Sequence, residues 1–157
     1  MRIRLWIMLG IVMGFLIVNC GKQTTYTYQT VFQLHTEVEF TPYIERFEKE
    51  WGRSVSGLYI EYKDTIYNNK EYIGLCEWFP GNPHVYIQKS YWSYATKSQK
   101  EQLLFHELGH CYLFRMHRDE RNLETHQPLS IMHSDAQVSE GFYWLNHDYY
   151  MNELFDR

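Results

Sequence analysis

Residues 106 to 110 read His-Glu-Leu-Gly-His. On a helix, His106 and His110 stand four residues apart and project from one face, so two imidazoles can share one zinc ion. Glu107 lies beside them, and its expected role is not ligation but taking a proton from the attacking water. A catalytic zinc usually has three protein ligands, and the downstream candidates are His117, Glu120, Glu124, His126 and His133. If the helix ran on unbroken, His117 would sit about 10 Å past His110 along the axis. His117 is therefore a ligand only if the chain turns between 111 and 116.

The elements that must hold these residues are legible as patterns. Ser98 to about Phe114 reads as the main helix, with Ser98 as N-cap, Glu101 completing a capping box, and Leu104, Leu108 and Cys111 on an apolar side. Thr41-Pro42 opens an earlier helix, with Thr41 as N-cap, an apolar stripe of Tyr43, Ile44, Phe47 and Trp51, and Gly52 as its stop. Val31 to Phe40, Gly57 to Tyr62, Glu71 to Leu75 and His84 to Gln88 read as strands. Gln127 to Asp135 is a turn region, and Glu140 to Phe155 reads as a closing helix that buries Trp144, Leu145, Tyr149 and Leu154. The fold class expected is α+β: a small mixed sheet packed on an N-terminal helix and the zinc-binding helix.

The chain has 157 residues, enough for one compact domain, and a net charge of −4. No basic cluster or stripe is present, which argues against nucleic acid as a partner. Arg2 and Arg4 precede an apolar run from Leu5 to Val18, and Cys20 closes it. Residues 1–20 resemble a bacterial lipoprotein signal, in which Cys20 becomes the lipidated first residue. Residues 21–30 are polar and Thr-rich, suited to a tether, and 31–157 form the expected domain. The protein is thus expected to be exported and lipid-anchored to a bacterial membrane; the alternative, an uncleaved signal anchor, also exports the domain and tethers it. Export leaves Cys76 and Cys111 as an even pair in an oxidising compartment, either bridged or free as two buried thiols.

His-Glu-Leu-Gly-His, a third His shortly after it, and Ser130-Ile131-Met132 together resemble the metzincin metallopeptidases. The stretch from Phe105 to His117 is also similar to a group of small bacterial metallopeptidase-like proteins, which share the Cys after the second His and an Arg two residues before the third. The resemblance implies His117 as third ligand, with Glu124 or Glu120 the alternative. It implies Met132 in a tight turn beneath the zinc histidines. Two differences stand out: His117 follows His110 by seven residues rather than six, and Phe114 occupies a place where Gly is usual. A non-Gly residue must then adopt the turn, at a cost of about 1 kcal/mol or more. The resemblance further implies an exposed edge strand that pairs with extended substrate, for which His84 to Gln88 is the best match. An oxyanion-assisting Tyr is absent after the Met turn, leaving Tyr143 or Tyr149. The implied activity is zinc-dependent peptide-bond hydrolysis by a monomer. The alternative is a zinc-binding lipoprotein or pseudoenzyme that holds peptide without cleaving it.

Overall fold

The computed structural model describes residues 38–157 apart from 69–70, 80–81 and 136. The expected signal segment, the tether and most of the first expected strand lie outside the described residues. At the expected end of that strand, Val38–Phe40 form a 3-10 turn that runs straight into α1 (Thr41–Trp51). Thr41 is consequently helical itself and caps nothing. Pro42, with no N–H to satisfy and φ already helical, suits the first turn. Gly52 ends α1 at φ 72°, donating its N–H to the Glu48 carbonyl at 2.8 Å. Ile44 and Phe47 form the buried stripe.

Three strands follow: β1 (Tyr59–Lys63), β2 (Gly74–Phe79) and β3 (Asn82–Gln88). Their order is β1-β3-β2, with β1 parallel and β2 antiparallel to β3, so the sheet is mixed. This corrects the edge-strand expectation. His84 to Gln88 belongs to the central strand, hydrogen-bonded on both sides, and has no free ladder to offer a peptide. The edge beside the histidine helix is β2. A short helix, α2 (Lys89–Tyr94), leads on to α3 (Lys97–Leu113), which packs on β2 and β3 and against α1. The molecule is α+β.

Thr96, not Ser98, caps α3. Its hydroxyl accepts from the Gln99 N–H at 3.3 Å, while the Gln99 side chain accepts from the Thr96 N–H at 2.9 Å. Glu101 is left out of the capping box for a tertiary reason. It is fully buried, and such a carboxylate must be paired. Arg46 of α1 forms an ion pair with it, and the Tyr143 hydroxyl donates to it at 2.8 Å. The closing helix is broken at Asn146 into α4 (Glu140–Leu145) and α5 (His147–Leu154). The break lets Tyr143 turn inward to Glu101 while Tyr150, Met151 and Leu154 enter the core; Trp144, Leu145 and Tyr149 remain exposed. One buried cluster joins these layers, with Phe47 of α1 edge-on to Phe105 of α3 at 5.3 Å.

Candidate metal centre

The buried face of α3 carries Leu104, Leu108 and Cys111 into the core and leaves His106 and His110 partly exposed at its margin. Their Nε2 atoms are 3.0 Å apart. His117 completes the group, with its Nε2 3.1 Å from that of His110, and one ligand atom from each of the three residues lies within 4.8 Å of the others. Three histidines thus converge where a metal ion could be held.

The chain reaches this arrangement through Phe114. Its φ of 53° and ψ of 31° are left-handed, the conformation required of a non-glycine residue at this place. The Phe114 N–H donates to the Gly109 carbonyl, as does that of Arg115 at 3.1 Å, and the helix stops. The chain then doubles back, so seven residues of spacing close to hydrogen-bond distance. Phe114 itself is largely exposed and packs edge-on against Trp78 at 6.0 Å.

Whether these residues suit a cation follows from their hydrogen bonds. His106 Nδ1 donates to the Ile131 carbonyl at 2.8 Å, and His110 Nδ1 donates to the Arg115 carbonyl at 2.7 Å. A carbonyl can only accept, so each Nδ1 carries the hydrogen. Burial lowers the pKa of His106 to about 4 and also lowers that of His110, so neither holds a second proton at neutral pH. Two Nε2 lone pairs therefore face each other with no hydrogen between them, an arrangement a cation relieves. Tetrahedral zinc at its usual Zn–N distance sets nitrogens about 3.3 Å apart. The donor set fits the metal, and the carbonyls of Ile131 and Arg115 fix the tautomers in the usual way for zinc histidines.

Met132 is fully buried beneath the helix. A Cβ on Gly109 would fall 2.6 Å from its sulfur and 3.3 Å from Leu154 Cδ1, so any larger residue there must displace the buried Met132 side chain. Ser130 shapes the turn by accepting the Met132 N–H at 2.9 Å. The Met132 carbonyl accepts the Arg118 N–H at 2.9 Å, linking this turn to the segment that carries His117.

Glu107 is buried, and desolvation pushes its pKa up to about 8, partly offset by the backbone N–H of Cys76 donating to its carboxylate. It lies against Gly74 of β2, where any Cβ would overlap Glu107 Oε1. Cys76 and Cys111 are disulfide-bonded. The bridge fastens β2 to α3 one residue beyond His110, and Cys111 is thereby no ligand.

None of the other candidates is among the three grouped ligands. Glu120, Glu124 and His126 are exposed, with Glu120 paired to Arg118. His133 is buried, with Nδ1 2.9 Å from Asp135 Oδ1. Of the two candidate tyrosines, Tyr143 donates to Glu101 in the core, and the exposed Tyr149 donates to the Leu129 carbonyl at 3.0 Å. Two residues of the site, Gly74 and Glu153, do not stand out in the sequence. A glycine inside a strand is a recognised mark of close approach, and Gly74 follows Ile73 in such a run. Glu153 carries no local signal. No family model, curated protein or solved structure matches this chain.

Proposed function

We propose that this protein is a zinc-dependent peptidase of metzincin-like fold, exported and tethered to a bacterial membrane through Cys20. The observation that carries the reading is the meeting of three histidine Nε2 atoms beside a buried carboxylate on the same helix. A structural zinc needs no general base at position 107, so Glu107 favours catalysis over the holding of peptide without cleavage. When bound, zinc lowers the pKa of water and polarises a carbonyl.

The chain's own residues do the rest. His106, His110 and His117 would hold the ion through Nε2. The Glu107 carboxylate takes a proton from the attacking water and passes it to the nitrogen of the leaving amine. Burial raises its pKa, and a neighbouring cation would lower it. The strand assigned to pair with an extended substrate is β2, which lies at the sheet edge beside α3 where β3 does not. The anchor rests on residues 1–20 alone; among the described residues no helix is long and apolar enough to cross a membrane.

The test is Glu107→Gln in the zinc-loaded protein, assayed on a mixed peptide library. The expected result is unchanged zinc content with hydrolysis abolished. Undiminished hydrolysis refutes the role of Glu107, and a zinc-loaded wild type that cuts no peptide favours the binding protein. Zinc retained at one equivalent by His117→Ala removes His117 as a ligand.

A further inference from the structure

We propose that Glu153 of α5 is the positioning residue that holds the three-histidine centre in binding geometry, setting its metal affinity without touching the metal. Its side chain is only 7% exposed, and its carboxylate collects three donors. Arg115 Nη2 donates to Oε1 at 2.6 Å and Arg118 Nη1 to the same oxygen at 3.0 Å. Ser130 Oγ donates to Oε2 at 2.6 Å.

Those three donors belong to the segments that aim the ligands. Arg115 lends its carbonyl to His110 Nδ1. Arg115 and Arg118 bracket His117, so the two guanidiniums on Glu153 set the course of the chain that presents the third imidazole. Ser130 precedes Ile131, whose carbonyl orients His106, and its hydroxyl takes the Met132 N–H. One carboxylate therefore braces a support of each histidine. Charge adds to geometry: Glu153 is the carboxylate paired with both guanidiniums, sharing Arg118 with Glu120, and so offsets positive charge near the place a dication would occupy. Buried hydrogen bonds between charged partners are also the strong ones.

The experiment uses the full chain in detergent, as wild type, Glu153→Gln and Glu153→Asp. Zinc affinity is read by competition with a chromophoric chelator, and coordination by the visible absorption of the cobalt-substituted protein. Thermal unfolding of the metal-free protein serves as the control for a purely structural role. Glu153→Gln is expected to bind zinc about 10- to 100-fold more weakly, as loss of an outer partner does, with an altered cobalt spectrum. Glu153→Asp, which keeps the charge, recovers part of that loss. A folded Glu153→Gln with affinity within about threefold of wild type and an unchanged spectrum overturns the proposal, even if its metal-free form melts earlier. Should Glu153→Gln fail to fold, Ser130→Ala and Arg118→Met each remove one donor. Several-fold weaker binding in both supports the proposal, and unchanged binding in both overturns it. The inference rests on the metal-centre reading alone. A wild type that binds no metal refutes both, whereas metal binding without hydrolysis removes the peptidase reading and leaves this comparison decisive.

Discussion

At position 114 the ranking of alanine over glycine that holds inside a helix should reverse. Phe114 lies at φ 53°, ψ 31°, where a Cβ costs about 1–2 kcal/mol. Glycine removes that cost but loses about 0.5–1 kcal/mol through the greater freedom of its unfolded chain. Phe114→Gly should therefore exceed Phe114→Ala in stability by about 0.5–1 kcal/mol, or about 2–4 °C in Tm for a domain of this size. Both variants lose the ring contact with Trp78, so comparing them cancels that loss. An aromatic pair contributes about 0.5–1.5 kcal/mol when well packed. Since both rings here are more than half exposed, wild type should fall close to Phe114→Gly. The assay is thermal unfolding of the chelator-stripped protein, because bound metal would add its own binding free energy to each variant. A Phe114→Ala protein as stable as Phe114→Gly would refute the left-handed turn. The account of how His117 comes back to the helix would fall with it.

Three further outcomes are expected. Gly74→Ala forces a Cβ into Glu107 Oε1 and to within 2.7 Å of Leu103, so peptide hydrolysis should drop by about 10²-fold or more while zinc content stays at wild type; equal kcat/KM would show that the carboxylate has room. Cys76 and Cys111 close a loop of 35 residues' separation, and replacing both with Ala should cost up to about 3–4 kcal/mol in denaturant unfolding; a loss below about 1 kcal/mol would show that the bridge adds little to the packing of β2 on α3. The metal-free protein should show opposing pH effects. The folded pKa of Glu107, about 8 against an ordinary 4.5, gives stability present below pH 4.5 and lost as pH rises through 8. The folded pKa of His106, about 4 against 6.5, gives stability present above 6.5 and lost as pH falls through 4. Metal-free Glu107→Gln should therefore gain on wild type as pH rises from 5 to 8; a constant difference across that range would contradict the raised pKa.

Interactions that close within a few residues are legible in the amino-acid sequence alone. His106 and His110 share a face because a helix repeats every 3.6 residues. Gly52 ends α1 because only glycine takes φ 72° without penalty. The strain at Phe114 follows once seven residues have to span a turn. The hydrophobic alternation of the strands, and with it the α+β class, is equally local. Which strand lies in the middle is not, because β1 and β2 both pair with β3 and alternation is blind to a strand's neighbours. Nor does any local pattern foretell that Glu101 leaves the capping box for Arg46, a residue 55 positions away, or that Glu153 meets Arg115, Arg118 and Ser130. A polar residue satisfies its lone pairs wherever burial brings a donor, and local spacing holds no record of a partner dozens of residues distant. The sequence by itself determined which groups could bind a metal and move a proton. Only the tertiary structure decided which third histidine joins them, which strand lies at the sheet edge beside them, and which carboxylate gathers Arg115, Arg118 and Ser130, because those choices depend on packing between segments far apart in the chain.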